Sequence, residues 1–451
     1  MNMANAAANF VEKQLGEYPE GTAANAGISN YGIQHEFADS AGEKMKAVVW
    51  EGKNKVKVVD TAKPRIIEDD DAIIKVTGTT ICGSDLHLYH GAVIEMQQGD
   101  ILGHEYMGIV EKVGSGVKKV KVGDRVVASF QISCGECRFC VQKLSSQCER
   151  TNNSSVANAM YGHRTAGVLG YSHFAGGYAG GQAEYVRAPF ADVNLLVLPE
   201  NVTDERALFL SDVIPTSYNC VQDTKVYEGD TVGIWGMGPI GLFAAKWAFL
   251  RGAKRVIAID SVTWRLTYAS SKIPQIETLD FSKVKSVPEE LKKLAPGGLD
   301  VALECAAGEY PKSILHKVET AIGLETDSSD ILNEMILSVR PYGRIGITGL
   351  YTGYTNHLNI GAIMQTGIRL IGNGQAPVLK YWDDILNNYI IPGKIDPNIM
   401  ISHRVPLEEM EELYAKFDKR DPKDGLMKVF VATKFSNPPG EGSPQLSTLK
   451  D

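Results

Sequence analysis

Residues 232–260 read VGIWGMGPIGLFAAKWAFLRGAKRVIAID. An apolar strand over Thr231–Trp235 runs into Gly236, Gly238 and Gly241, spaced G-x-G-x-x-G, and an apolar helix follows. Gly236 permits the tight turn, Gly238 has no Cβ to hold a pyrophosphate off the backbone, and Gly241 lets the helix pack closely on its strand. Met237, Pro239 and Ile240 complete the loop. Its free N–H groups at the helix N-terminus favour anions. Asp260 ends the next strand, nineteen residues past Gly241. A carboxylate there accepts bonds from the adenosine ribose hydroxyls and repels a 2′-phosphate. The stretch predicts a dinucleotide-binding unit that takes NAD rather than NADP.

The same texture continues outward. From about residue 215, DTVGIWG, RVIAIDS, LDVALEC and GRIGITGL are strand candidates separated by helix-like stretches. That alternation implies βαβ units and a parallel sheet. Between about 45 and 200 the chain instead consists of short apolar runs broken by Gly and Asp, such as DAIIKVTGT, MGIVEKVGSGV and VGDRVVAS. These predict an all-β unit, a partly open barrel. Residues 151–182 form a long Gly-rich loop of the kind that carries function. It holds His163, His173, Tyr161, Tyr171 and Tyr178, expected to wall a substrate pocket. After 376, APVLKYWDDILNNYI and PLEEMEELYAKFDKRD read as amphipathic helices and GLMKVFVAT as a last strand. A Pro/Gly/Ser-rich tail closes the chain. Residues 1–45 lack apolar periodicity and read as a flexible extension.

Composition limits the function classes. The chain has 451 residues, 44% hydrophobic, with a net charge of -8, so no basic excess points to nucleic acid or an anionic membrane. No apolar run reaches the roughly 18–20 residues of a membrane span. The start has neither a signal-peptide nor a transit-peptide pattern. Seven cysteines, an odd number, read as reduced thiols of a cytoplasmic protein.

Two groups of residues carry metal chemistry. Cys82 offers a thiolate, His104 an imidazole and Glu105 a carboxylate, a set that suits zinc, although a buried thiol and a polar turn explain them equally well. Cys134, Cys137, Cys140 and Cys148 fall in the pattern C-x2-C-x2-C-x7-C. Four thiolates suit a closed zinc site or an iron–sulfur cluster. The bacterial ferredoxin run, however, places its fourth Cys three residues on and follows it with Pro. A zinc ribbon separates its pairs more widely.

GHEYMGIVEKVGSGVKKVKVGDRV, residues 103–126, resembles the signature of zinc-dependent medium-chain alcohol dehydrogenases, and the resemblance extends from about 45 to 433. GGQAEYV, LSDVIPTSYN and GQAPVLKY are most similar to the glutathione-independent formaldehyde dehydrogenase branch. The resemblance implies an α/β protein with a GroES-like β-rich catalytic domain over 46–213, including a structural-zinc lobe at 131–150. A Rossmann doubly wound parallel-sheet domain over 214–376, a return to the catalytic domain over 377–433 and a tail over 434–451 follow. It assigns the four clustered cysteines to a structural zinc. A catalytic zinc goes to Cys82, His104 and Asp212, with Glu105 in the surrounding shell or as an alternate ligand. Cys220 and Cys305 match nothing catalytic and read as core thiols.

The family further implies that Ser84 relays the substrate proton and His87 passes it to solvent, with Asp85 bracing the loop. Thr216 lies beside the nicotinamide, Arg265 covers the adenine or its ribose, and Leu350 lends backbone to the carboxamide. The implied activity is hydride transfer between NAD and an alcohol or hydrated aldehyde, formaldehyde or another small aldehyde or alcohol. The alternatives are an aldehyde dismutase with retained NAD, a dehydrogenase of a larger hydroxylated metabolite and, remotely, a non-catalytic zinc and nucleotide-binding regulator. Two zinc ions per chain and a homodimer or homotetramer complete the expectation.

Overall fold

The computed structural model describes residues 38–306, 326–351 and 353–449. The first 37 residues of the expected extension lie outside that range. The chain forms two compact units, one from the residues up to Asp212 and from Pro377 onward, the other Val213–Ala376.

The first unit is β-rich. Strands β1 (Lys44–Gly52) and β2 (Lys55–Ala62) make an antiparallel hairpin. β3 (Ala72–Thr79), β4 (Tyr106–Val113) and β5 (Arg125–Ala128) pair antiparallel in order. The small pair β6 (Gln131–Ile132) and β7 (Gly167–Val168) bounds the cysteine-rich lobe. β8 (Tyr185–Ala188) pairs with β3, and β9 (Leu195–Val197) with β5. Helix α1 (Asp85–Tyr89) follows β3. β3 is almost wholly buried, which explains its near-continuous apolar sequence.

The second unit is the parallel sheet expected from the alternating pattern. After α2 (Val213–Asp223) come β10 (Thr231–Trp235), α3 (Pro239–Leu250), β11 (Arg255–Asp260), α4 (Thr263–Lys272) and β12 (Glu277–Asp280). They are followed by α5 (Val287–Leu294), β13 (Leu299–Glu304), α6 (Asp330–Ser338), β14 (Val339–Ile347) and β15 (Arg369–Gly372). The strand order is β12-β11-β10-β13-β14-β15, every pair parallel. This is the doubly wound order of dinucleotide-binding sheets. Trp235, Ile257, Ile259, Leu299, Met335 and Ile345 are among its core residues.

The chain then returns to the first unit. The stretch 376–390, expected to be one amphipathic helix, is broken into a 3₁₀ turn, Val378–Lys380, an α-helical turn, Trp382–Ile385, and a π-helical turn, Leu386–Ile390. β16 (Ile401–Pro406), α7 (Met410–Lys419) and β17 (Lys428–Ala432) follow, and β17 joins β3 antiparallel. Leu413, Tyr414 and Phe417 of α7 pack with Leu86 and Leu88 of α1 and with Val429 and Val431 of β17.

The sequence reads residues 434–451 as a tail, and its described part is docked. Asn437 accepts from the Arg404 guanidinium, which also pairs with buried Glu205. Ser447 N–H donates to Arg404 O at 2.9 Å. Leu449 N–H donates to Glu409 at 2.7 Å, Lys416 Nζ donates to Leu449 O at 2.6 Å, and the Leu449 side chain enters the α1–α7 core. Pro, Gly and Ser forbid regular structure here, yet side chains of the domain satisfy the backbone groups. Deleting 434–451 is expected to lower the melting temperature by roughly 5 °C, since burying a leucine contributes about 1.5–3 kcal/mol and each kcal/mol moves a domain of this size by about 2–4 °C. Thermal denaturation followed by circular dichroism checks this.

Candidate active site

The site is assembled by strand register. Thr79, the last residue of β3, faces Tyr106, the first residue of β4. The residues just beyond that pair, Cys82 on one chain segment and His104 with Glu105 on the other, therefore emerge at one edge of the sheet. Thr79 Oγ1 donates to Glu105 O at 2.8 Å and fixes the exit. Asp212 arrives from the turn before α2. Its neighbour Ser211 accepts from Phe130 N–H through its carbonyl at 3.3 Å. One donor atom from each of Cys82, His104, Glu105 and Asp212 lies within 4.8 Å of all the others. His104 Nε2 is 3.5 Å from Asp212 Oδ2 and 3.9 Å from Glu105 Oε1. Ligands about 2.0–2.3 Å from a tetrahedral zinc sit about 3.3–3.8 Å apart, so thiolate, imidazole and Asp212 carboxylate fit that ion.

The shell behind these donors is equally specific. His104 Nδ1 is 3.0 Å from Asp85 Oδ1, which turns Nε2 toward the metal position. The other Asp85 oxygen accepts from Cys82 N–H at 2.9 Å and from Gln182 Nε2 at 3.2 Å, while Gln182 Oε1 accepts from Tyr414. One carboxylate thus orients two ligands. Burial alone would lower the His104 pKa, but Asp85 and Asp212 outweigh it and raise it well above its ordinary value. Anionic groups around an imidazole make a cation site, and a proton competes for it. Ser84 immediately precedes α1, and His87 lies buried within that helix, its N–H bonded to Ser84 O at 3.1 Å.

Sequence reading missed Lys428. The β17–β3 pairing sets Val431 opposite Thr79, and Lys428 lies three residues before Val431 on β17. Lys428 Nζ reaches Glu105 Oε1 at 2.5 Å and Ile81 O at 3.1 Å, with both side chains 1% exposed. Burial pushes the Glu105 pKa up although Lys428 opposes it. For Lys428 itself, burial works against the charge, and Glu105 and Cys82 prevail and raise the pKa. Only proximity on a neighbouring strand reveals this lysine, so no local motif could have signalled it.

Cys134, Cys137, Cys140 and Cys148 also converge within 4.8 Å. Cys134 and Cys140 sulfurs are 4.0 Å apart, as are those of Cys137 and Cys148. Four thiolates at about 2.3 Å from zinc lie about 3.8 Å apart, so the residues fit. Backbone N–H groups of Glu136 and Cys137 point at Cys134 Sγ at 3.5 and 3.3 Å, and Cys134 N–H points at Cys148 Sγ at 3.4 Å. Such donors favour thiolates.

Of the polar and aromatic residues in 151–182, Tyr171 is the one placed at the open metal site. Its ring meets His104 edge-on with centroids 5.8 Å apart, opposite Phe130 at 6.1 Å, and its hydroxyl donates to Ser84 O at 3.4 Å. Burial pushes its phenol pKa up. His173 instead pairs with Asp100 at 3.1 Å, His163 meets Phe139 edge-on, Tyr178 joins the barrel core and Tyr161 is exposed.

In the second unit, Gly236 has φ +90°. A Cβ on Gly241 would lie 1.9 Å from Gly236 O, so both glycines are required. A Cβ on Gly238 would meet only the Arg265 guanidinium, at 3.9 Å, which leaves a cradle for a phosphate beside a cation. Gly238 caps α3, Pro239 opens it and Ile240 follows. Met237 buries its side chain, and its N–H donates to Asp260 Oδ2 at 2.7 Å, while Asp260 Oδ1 accepts from Val262 N–H at 2.9 Å. These bonds fix the carboxylate at the β11 terminus. Thr216 is buried in α2, and Leu350 follows β14 in a half-buried loop. The residues fit a dinucleotide.

Residues 68–200 match the family model described as the alcohol dehydrogenase GroES-like domain. The chain is 38% identical over 431 residues to a zinc-type alcohol dehydrogenase-like protein of Schizosaccharomyces pombe, covering 95% of this chain and 98% of the relative. It is 32% identical over 403 residues to a glutathione-independent formaldehyde dehydrogenase of Pseudomonas aeruginosa, covering 84% and 96%. Among solved structures, the alcohol dehydrogenase TADH of Thermus sp. ATN1 is similar with a TM-score of 0.72 at 32% identity, covering 86% of this chain and 100% of that one. The fold is thus that of the medium-chain dehydrogenases, a GroES-like unit with a Rossmann unit. The chain belongs to the zinc-type alcohol dehydrogenase family.

Lys428→Met leaves Glu105 buried without its counter-charge and is expected to destabilise the first unit by about 3–5 kcal/mol. Lys428→Met combined with Glu105→Gln should recover most of that loss. A double-mutant cycle in urea denaturation measures the coupling.

Proposed function

We propose that this chain transfers hydride between NAD and a small alcohol or hydrated aldehyde, formaldehyde among them, at a zinc held by Cys82, His104 and Asp212. Family membership makes it a zinc-dependent oxidoreductase of alcohols or aldehydes. The observation that carries the site assignment is the donor arrangement. Four donors converge with ligand spacing, and Lys428 engages one of them, Glu105, which supports Cys82, His104 and Asp212 as the three that hold the ion. The coordination position left over is the one a substrate oxygen needs. Bound zinc polarises that oxygen and lowers the pKa of an alcohol.

The chain's own groups handle the rest. Ser84, two residues past Cys82, takes the hydroxyl proton, and His87, one helical turn further, passes it to solvent. Asp85 keeps His104 and Cys82 aimed. Tyr171 and Phe130 supply an apolar, edge-on wall that favours small substrates over charged ones. Gly236, Gly238 and the start of α3 receive the pyrophosphate, and Asp260 and Arg265 receive the adenosine ribose and adenine. Thr216 and the backbone at Leu350 face the nicotinamide. The four clustered cysteines hold a structural zinc that pins their lobe.

Among the described residues no helix is long and apolar enough to cross a membrane. All seven cysteines are unpaired, which supports a reducing, cytoplasmic setting. Exposed Tyr342, Ile360 and Met364, flanking the edge strand β15, support a homodimer or homotetramer.

Asp212→Ala should reduce zinc from two ions per chain to one while the cysteine cluster stays loaded. Metal analysis that still finds two ions refutes the ligand assignment. With zinc-replete protein, absorbance at 340 nm should rise when NAD and formaldehyde or a short alcohol are mixed without glutathione. Ser84→Ala should slow that rise by about 10²-fold or more.

A further inference from the structure

The order in which strands are added to the parallel sheet reverses between β10 and β13. From β10 the chain winds outward through β11 and β12, then crosses to the far side of β10 for β13. The crevice outside the carboxyl ends of those two strands is where such sheets bind ligands. Glu304 is the last residue of β13, paired in register with Trp235 of β10 and Ile347 of β14, and it is 0% exposed. A buried carboxylate beside a cradle for a pyrophosphate opposes the ligand's charge, so its presence calls for another role.

That role is visible in its bonds. Glu304 Oε1 accepts from Ala306 N–H at 2.7 Å, and Oε2 accepts from Gly349 N–H at 2.8 Å. Its main-chain oxygen accepts from Thr348 N–H at 3.0 Å and Gly349 N–H at 3.1 Å. One residue therefore ties the loop after β13 to the loop after β14. The first loop forms the surface on which Gly236 turns, because a Cβ on Gly236 would lie 2.8 Å from Cys305 O and 2.9 Å from Ala306 N. The second leads directly into Leu350. It is braced again by Thr348 Oγ1 donating to Asn373 Oδ1 at 2.6 Å, and Asn373 Nδ2 reaches Thr224 at 3.0 Å on α2's far end. Charge-assisted bonds to backbone N–H groups are about twice as strong as neutral ones, which makes a carboxylate an effective clamp between residues 305–306 and 348–349, which lie just beyond the ends of β13 and β14.

We propose that Glu304 is a positioning residue for the nicotinamide half of NAD, setting the spacing of the 305–306 and 348–350 loops without touching the cofactor itself. This rests on the reading of the unit as an NAD site. The adenine half has its own fixed groups, Asp260 on β11 and Arg265 on α4, and does not depend on the clamp.

The test is calorimetric titration of the zinc-loaded full chain, wild type and Glu304→Gln, with NAD and separately with 5′-AMP. Glutamine keeps one acceptor but turns an N–H₂ toward the other N–H. NAD affinity should therefore fall about tenfold or more while 5′-AMP affinity stays within about twofold. Equal losses for both ligands, or none for NAD, overturn the proposal. Wild type binding 5′-AMP but no NAD would refute the underlying NAD reading instead. Hydrogen exchange on the wild-type protein tests the clamp without any variant. Peptides covering Ala306 and Gly349 should exchange far more slowly than open loops, and free exchange there also overturns it.

Discussion

Three adjacent antiparallel strands hold the candidate metal-binding residues in place. β17 pairs with β3 and β3 with β4, so that Val431, Thr79 and Tyr106 lie side by side. Lys428 stands on β17 three residues before Val431, and Cys82, His104 and Glu105 lie just beyond the paired ends of β3 and β4. Because side chains alternate faces along a strand, a slip of one residue in either pairing would turn these groups to the opposite face. Much of the first unit secures this register. The buried α1–α7 core anchors β17, and the docked chain end, through Leu449, seals that core.

The cost of the arrangement is electrostatic. Asp85, Glu105, Asp212 and a thiol crowd one imidazole, and among the described residues Lys428 is the lysine bonded into the group. Buried carboxylates of this density are stable only with cations at hand. Zinc is the natural counter-charge, so metal binding and local folding are coupled. Lys428 balances the charge of Glu105. The closed cysteine cluster works differently. Its donors come from one short stretch of chain, and backbone N–H groups help keep the sulfurs anionic.

What the sequence reveals depends on how local the cause is. The glycine loop, the strand after it and Asp260 lie within thirty residues, and their spacing alone predicts the dinucleotide unit. The spacing of the four cysteines likewise suffices to flag a metal site. Cys82, His104 and Asp212 are scattered, and only family resemblance groups them before the fold is known. Lys428, the Gln182–Tyr414 link behind Asp85 and the Glu304 clamp have no local signature, since each acts on residues reached through tertiary pairing. The chain end shows the opposite limit. Its composition correctly excludes regular structure but says nothing about docking, because the groups that bind it, Arg404, Glu409 and Lys416, lie on other elements.

Zinc K-edge X-ray absorption of the fully loaded protein tests the central claim, that the open site holds its metal with one cysteine, one histidine and a carboxylate. Four sulfurs in one site and one in the other average about 2.5 sulfurs per zinc at about 2.3 Å, the remaining ligands being nitrogen and oxygen at about 2.0–2.2 Å. That average is the predicted result. An average of about three sulfurs would place a second thiolate where Asp212 is assigned, and about four would mean that only the cysteine cluster binds metal. Either would contradict the claim.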